Sequence, residues 1–532
     1  MEGLFVILLI IGGIVILVLH KNRKSAEAQK RKTERQKQAE ERKRLEACAE
    51  VVSFFSNNLG YIAKQCITRD ELEELIDGGS TAEELSYEIA EKILERDGII
   101  LGYHNFGSNS FPVKLTPDFR DKHVYVIGKS GYGKTNLLRN MIFQDLEAGY
   151  GIGVIAPEQE MLTEEILPYI PEHRLADVIY FNPTDTQRPI VFNPLELDEG
   201  EDIDLRVDET FTILRRVFGE GGPRMDEILR QTLYALLEKP KSTFLDVERL
   251  LDRGRSDFRN EVIKTSKDPQ TAHFFRDTYP QFPKDSHLPI TNRLGRITRP
   301  KVVRNCLCQP KGSLNFRKAM DEGKILLFNL SDGILGETTS QLLGQLIVSK
   351  FQMATMSRAD TLKYQRKPFY LYIDEFQTFT STTATSYEKI LSRARKYKLS
   401  LILAHQQTGQ IPLELLREIF GNVSTIISFQ LSQNDASKLA KEFITDYEGE
   451  ILSLRPEDLL NLKVGQAYCR IGQNSFLMNT ELADQRPDKA KAERIIRESS
   501  ERYGVLVKET SENRRIEERR DELEGLDPSK VF

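Results

Sequence analysis

From His123 to Asn136 the chain reads His-Val-Tyr-Val-Ile-Gly-Lys-Ser-Gly-Tyr-Gly-Lys-Thr-Asn. An apolar, β-branched run (Val124 to Ile127) breaks into the octet Gly128, Lys129, Ser130, Gly131, Tyr132, Gly133, Lys134 and Thr135, and a helix-patterned stretch from Leu137 to Glu147 follows. A buried strand, a glycine-rich turn and a helix in that order make a phosphate-binding loop, G-x-x-x-x-G-K-[ST]. The glycines let successive backbone N–H groups turn inward around a triphosphate, and the helix aims its positive end at the same anion. Lys134 then reaches the β- and γ-phosphates of ATP, and Thr135 offers its hydroxyl to Mg²⁺. Few architectures other than an α/β core accommodate this sequence of elements.

The second landmark is Phe369-Tyr370-Leu371-Tyr372-Ile373-Asp374-Glu375-Phe376, an apolar strand that ends in two carboxylates. Beside a phosphate loop, Asp374 is suited to hold the Mg²⁺ shell and Glu375 to polarise the attacking water. A third strand, Leu399 to Ala404, delivers His405-Gln406-Gln407-Thr408-Gly409-Gln410. A glutamine at the end of a core strand can hydrogen-bond the γ-phosphate or its water; it can equally be an ordinary loop residue. Further short strands are expected at Ile99–Gly102, Phe111–Leu115, Gly151–Ala156, Asp177–Phe181, Lys324–Leu330, Thr425–Gln430 and Gln466–Ile471. Between Asp202 and about Pro300 the pattern is helical throughout, as in Phe211 to Phe218 and Ile228 to Leu237, and reads as an all-α insertion in the α/β core.

The N-terminus places this core at a membrane. Leu4 to Leu19 is apolar apart from Gly12 and Gly13, and it meets His20-Lys21-Asn22-Arg23-Lys24 at once. That length is near the minimum for a bilayer span, which flanking Lys and Arg extend by snorkelling. A signal peptide would carry a basic amino end and a small-residue cleavage site; Met1-Glu2-Gly3 has no base and charge follows the run directly. The positive-inside rule then makes it a single-pass inner-membrane anchor with the bulk of the chain cytoplasmic. From Lys21 to Arg44 there are eleven Lys or Arg against four Glu, a solvated stalk along anionic headgroups or a plain spacer.

Composition narrows the partners. With a net charge of -5 over 532 residues and no Trp, the chain is no uniformly basic coat protein, so any contact with nucleic acid must be local. The cysteines, Cys48, Cys66, Cys306, Cys308 and Cys469, lack the spacing of a zinc site or a disulfide framework. The expected organisation is an anchor at 1–20, a basic helical stalk at 21–46 and a small helical region at 47–98. The ATPase core follows at 99–201 and 301–485, split by the all-α insertion at 202–300, with a charged tail at 486–532.

Taken together, these motifs resemble the HerA/FtsK superfamily of ring-forming DNA motors, and within it the TraD/TraG-like coupling ATPases of conjugation and type IV secretion. The matching residues are the phosphate loop, Asn182-Pro183-Thr184-Asp185 with Phe192-Asn193-Pro194-Leu195, Ile373-Asp374-Glu375-Phe376, Arg395-Lys396-Tyr397, Leu403 to Ile411 and Gly421-Asn422-Val423. The resemblance covers most of Ile99 to Arg470. It implies a RecA-like P-loop NTPase core, mainly parallel sheet flanked by helices, assembled as a homo-hexamer with DNA in its channel. It also implies a relaxase or secretion-channel proteins as partners, a γ-phosphate-sensing role for Gln406, and an arginine finger at Arg395, with Arg293 and Arg296 as weaker candidates. One stretch departs from the family pattern: where members carry Asp-Pro-His/Lys-Gly-Asp, this chain has Ala156-Pro157-Glu158-Gln159-Glu160, with Glu160 matching the last carboxylate. A motor acting on protein substrates, or a membrane scaffold that binds nucleotide without turnover, are the competing readings.

Overall fold

Strands that are apolar at every position must be buried on both faces, and the chain supplies layers for both. The computed structural model describes residues 2–506 apart from 198–200, 220, 255, 381–383, 448–449 and 482–486, and leaves undescribed the side chains of residues 2–16 and of scattered positions within other elements, such as 18–19, 216–217 and 296–297. In chain order the strands are β1 (Ile99–Phe106), β2 (Asn109–Leu115), β3 (Val124–Ile127), β4 (Gly151–Ala156), β5 (Val178–Phe181), β6 (Ile325–Asn329), β7 (Phe369–Ile373), β8 (Leu399–His405), β9 (Thr425–Ser428), β10 (Ile444–Tyr447), β11 (Glu450–Ser453), β12 (Gln466–Ile471) and β13 (Asn474–Asn479). Eleven form one sheet in the order β2-β1-β13-β12-β9-β3-β8-β7-β4-β6-β5, while β10 and β11 pair separately. From β9 to β5 every neighbour is parallel; β12, β13, β1 and β2 extend the sheet antiparallel. The large, mostly parallel sheet with flanking helices is a RecA-like core.

The two-residue period of the strands sorts side chains into two cores. Val124, Val126, Val154, Tyr372 and Ile402 pack with Leu138, Met141 and Ile142 of the phosphate-loop helix, Lys134–Glu147, and with Val51 and Phe55 from the N-terminal helix. Their neighbours Tyr125, Ile127, Ile155, Leu371, Ile373 and Leu403 face the other way, onto the long helix Glu337–Ser357 and the helices that separate β5 from β6. Those helices begin at Ile203–Phe218 and continue to Lys301–Leu307. Their apolar stripe is fused with the sheet core, so Phe211, Leu214 and Leu233 share one cluster with Phe328 and Phe351.

Three strands, β10, β11 and β13, are not among those expected from the sequence. Glu2–Asn58 is a single helix, so no break separates residues 20 and 21 or 46 and 47. Its last turns bury Cys48, Val51 and Phe55, so the stalk grows directly into the core. The hairpin β1–β2, although it precedes the phosphate-loop strand in sequence, lies at the antiparallel edge beyond β13. That β13 was itself absent from the expected strands: Gly472, at φ 61°, turns the chain back so that Cys469 faces Phe476. Among the described residues no helix is long and apolar enough to cross a membrane. The expected anchor, Leu4 to Leu19, falls almost wholly on side chains outside that description, as does the tail from residue 507. The helix Lys489–Tyr503, inside the expected tail of 486–532, instead joins the core and closes the β5 edge, Ser499 Oγ accepting from Tyr180 N–H at 2.8 Å.

One buried charge network ties the layers together. Arg120, only 2% exposed, makes a bidentate ion pair with Asp145 of the phosphate-loop helix. It also donates to Tyr372 Oη at 2.7 Å, and its guanidinium lies 3.4 Å from the Tyr370 ring centroid. Tyr372 Oη donates in turn to Asp145 Oδ2 at 2.6 Å. The network joins the phosphate-loop helix to β7, the strand that carries Asp374. Removing one partner strands a buried charge: Asp145→Ala is expected to cost about 3–5 kcal/mol, and Tyr372→Phe, which keeps the pair, about 1.5–3 kcal/mol. Urea unfolding of both variants checks this, and equal losses would contradict it.

Candidate active site

Three adjacent strands, β3, β8 and β7, bring the site together at their C-terminal ends. Ile127 pairs with His405 and Ile373 with Leu403. The next residues, Gly128, Gln406 and the pair Asp374 and Glu375, therefore leave the sheet along one edge. The phosphate loop bends away from β3 at Gly128, where a Cβ would stand 2.5 Å from that of Phe429, and enters its helix through Gly133 at φ 114°. Glycine answers a steric demand in the first place and a conformational one in the second. Lys129 N–H donates to Gln430 O at 2.8 Å, and Gly465 N–H donates to Tyr132 O at 3.1 Å, so β9 and the loop before β12 hold the turn from the far side.

Lys134 is 5% exposed and its ammonium donates to Lys129 O at 3.2 Å. Burial lowers its pKa, against the opposing charges of Glu375, Asp374 and Glu158. The carboxyl of Asp374 is pushed up to about 7, first by burial and then by the charge of Glu375. Glu375 takes a left-handed backbone, φ 45° and ψ 46°, a strain of about 1–2 kcal/mol for a residue with a Cβ. Its Oε1 accepts from Gln406 Nε2 at 2.8 Å and its Oε2 from Gln377 Nε2 at 2.6 Å. Beneath them His405 is fully buried and shares a 2.5 Å hydrogen bond with Tyr125 Oη, and burial holds its pKa down to about 3. The following loop is pinned by Asp435, which accepts from Thr408 N–H at 3.1 Å and Thr408 Oγ1 at 2.5 Å.

Of the residues named from sequence, the structure gathers Lys134, Asp374, Glu375, Gln406 and the loop Gly128 to Thr135. Lys129 and Ser130 are exposed and Thr135 is half-buried. The structure does not bring Arg395 to this edge. It is exposed in the turn Ala394–Tyr397 that precedes β8, so all seven residues of that strand, about 20 Å, lie between it and Gln406. Arg293, on Leu288–Thr298, donates to Met225 Sδ at 3.1 Å, and the side chain of Arg296 is outside the described residues. In the altered stretch after β4, the charge that acts on Lys134 and Asp374 is that of Glu158. Sequence reading had kept Glu160, and it missed Gln377 and Asp435 entirely. Gln377 stood two residues from a named carboxylate; no pattern marked Asp435.

Among the described residues no group of three or more His, Cys, Asp or Glu forms a metal cage. One carboxylate and one hydroxyl, Asp374 and Thr135, are the sparse oxygen set from which Mg²⁺ is held together with phosphates. The raised pKa of Asp374 marks a buried carboxylate short of positive charge, and with the inward-turned loop and the buried Lys134 the donors fit a magnesium nucleotide.

No protein-family model matches the chain, and no curated protein is similar to it in sequence. Its fold is similar to that of the plasmid coupling protein TrwB in complex with ADP and Mg²⁺, at 16% identity over 71% of this chain and 90% of that one, with a TM-score of 0.52. The trigonal form of the bacterial conjugative coupling protein TrwBdeltaN70 in complex with sulphate is similar at 16% identity, over 71% and 90% of the two chains, with a TM-score of 0.51. VirB4 of Thermoanaerobacter pseudethanolicus is similar at 16% identity, over 73% and 97%, with a TM-score of 0.50. At such identities the likeness establishes the fold, one shared by conjugative coupling proteins and VirB4.

The His405 environment sets a pH dependence. In the unfolded chain histidine titrates near its ordinary value of about 6.5, whereas folded His405 stays neutral down to about 3. Between those values the unfolded state binds the extra proton, so this residue's contribution to stability is lost as the pH falls. His405→Gln removes it. The variant is expected to melt below the parent at pH 7.5, and the gap is expected to narrow toward pH 4.5 in thermal denaturation. A gap that stays constant or widens would show that His405 accepts a proton while folded.

Proposed function

We propose that this protein is an ATP-hydrolysing motor of the conjugation and type IV secretion kind, anchored in the inner membrane by Leu4 to Leu19 and moving or recruiting DNA as a homo-hexamer. The observation that carries the reading is the convergence of the phosphate loop, Asp374 with Glu375, and Gln406 on three neighbouring strands. Lys134 neutralises the β- and γ-phosphates, and Thr135 and Asp374 are the residues that would hold Mg²⁺, which supplies charge neutralisation when bound. Glu375 takes the proton of the attacking water. Gln406, in contact with Glu375, reports the state of the γ-phosphate to the loop that follows β8.

The neighbour described with ADP and Mg²⁺ supports the choice of nucleotide and ion. DNA as cargo is supported by the likeness to coupling proteins; with a net charge of -5 its contact must be local, as in a channel assembled from several copies. A second reading is a motor whose substrate is protein. A scaffold without turnover is disfavoured by the intact Lys134, Asp374 and Glu375. ATP turnover measured with and without single- and double-stranded DNA decides between the readings: stimulation by DNA supports the first, and stimulation by protein substrate alone would replace it.

Lys134→Ala is expected to abolish turnover, and Glu375→Gln to bind ATP normally while turnover falls at least about a hundredfold. Unchanged turnover in Glu375→Gln would move the base elsewhere. Gln406→Ala is expected to bind ATP yet lose stimulation by DNA.

Arg395 lies a full strand away from its own subunit's Gln406, so an arginine-finger role would have to be played on a neighbouring subunit's nucleotide. Arg395→Ala is therefore expected to be inactive alone and to regain partial activity in rings mixed with Lys134→Ala. Mixed rings, verified by native mass measurement, that stay as inactive as both parents would remove this role.

A further inference from the structure

Glu375 is held on both of its oxygens. Gln406 Nε2, from the end of β8, donates to Oε1 at 2.8 Å; Gln377 Nε2, from the turn Phe376–Phe379 that follows β7, donates to Oε2 at 2.6 Å. A carboxylate only accepts, so in each amide the nitrogen must be the atom that faces it. Two donated hydrogen bonds, one to each oxygen, keep the carboxylate turned toward the amides. The left-handed backbone at Glu375 is a conformation that its surroundings must maintain. Gln377 is oriented by this one contact: its Oε1 is buried and, among the described residues, has no hydrogen-bond partner. An amide that leaves its own oxygen unsatisfied to reach a carboxylate gains from a second arrangement in which that oxygen is satisfied.

We propose that Gln377 and Gln406 form a latch that holds Glu375 in a resting orientation, and that Gln377 is the positioning residue which keeps it closed. The inference rests on the reading of Glu375 as the group that activates water. When Gln406 turns to the γ-phosphate, Oε1 is freed. Gln377 then holds Oε2 alone, and its release from that oxygen lets Glu375 swing to the water. The latch thus makes turnover depend on a correctly seated triphosphate, and it limits the basal rate when the motor has no cargo.

The test is ATP turnover by the full-length protein in detergent, without DNA, comparing the parent with Gln377→Met, which keeps the volume and removes the donor. The expected result is a basal kcat raised about tenfold, the factor that loss of one charge-assisted hydrogen bond in the resting state produces, with KM near the parent's because no phosphate contact is removed. Adding Glu375→Gln to the same chain must abolish the extra turnover. A kcat at or below the parent's, in a variant that melts like the parent, overturns the latch; so does extra turnover that survives Glu375→Gln. If Gln377→Met does not fold, Gln377→Asn decides by the same criteria, since its shorter side chain cannot span to Oε2. A parent that hydrolyses no ATP overturns the ATPase reading and the latch together, whereas an active parent with an unaffected variant overturns the latch alone.

Discussion

The parallel register of β3, β8 and β7 is the constraint on which the rest of the site depends. Because Ile127 lies opposite His405 and Ile373 opposite Leu403, three short stretches distant in sequence end within two residues of one another on one edge. A slip of one residue on β8 would turn Gln406 to the opposite face of the sheet and break its contact with Glu375. The register is enforced from both sides. Every residue of these strands is fully buried, and consecutive residues belong to different cores, so a slip exchanges the two apolar sets rather than shifting one.

Charge is managed in the same way. The interior contains Arg120 with Asp145, and Lys134 with Asp374 nearby, and the two groups differ in how well they are satisfied. Arg120 and Asp145 are bidentate and supported by Tyr372, an arrangement whose purpose is rigidity. Lys134 and Asp374 both have pKa values displaced toward neutrality by burial. A pair left in that condition responds strongly to an incoming anion and cation, whereas the satisfied pair does not. The structural network therefore holds the phosphate-loop helix against β7 while the reactive groups next to it remain unsatisfied.

The parts added to the core each protect an exposed element. The N-terminal helix buries Val51 and Phe55 in the core beneath the antiparallel extension, and Lys489–Tyr503 closes the β5 edge through Ser499, so that edge is not a bare pairing surface. The helices between β5 and β6 share a core with Phe328 and Phe351, which makes them a layer of the motor domain and not an appendage. In the proposed motor, this continuity is a physical route by which movement at the ends of the central strands reaches the inserted helices.

The sequence by itself determined the chemistry and the local form of its carriers. Gly128 to Thr135 and Asp374 with Glu375 stood out as candidates because each ends an apolar run, and an apolar run four to eight residues long between turn signals reads as a buried strand without knowledge of its neighbours; Gln406 was distinguished from a loop residue only by the family resemblance. The helical stretch after Asp202 was legible from its 3.6-residue period for the same reason. Only the tertiary structure decided which strands are adjacent, because strand order is set by packing across the whole sheet and leaves no trace in local periodicity. It therefore decided that β8 lies between β3 and β7, that Arg395 stands at the wrong end of that strand to serve its own nucleotide site, and that β1 and β2 pair beyond β13. It also revealed Gln377 and Asp435, whose roles rest on hydrogen bonds to particular partners, at 2.6 Å to Glu375 for the first and at 2.5 and 3.1 Å from Thr408 for the second. A hydrogen bond depends on distances of tenths of an ångström between groups brought together by folding, and that information exists only in three dimensions.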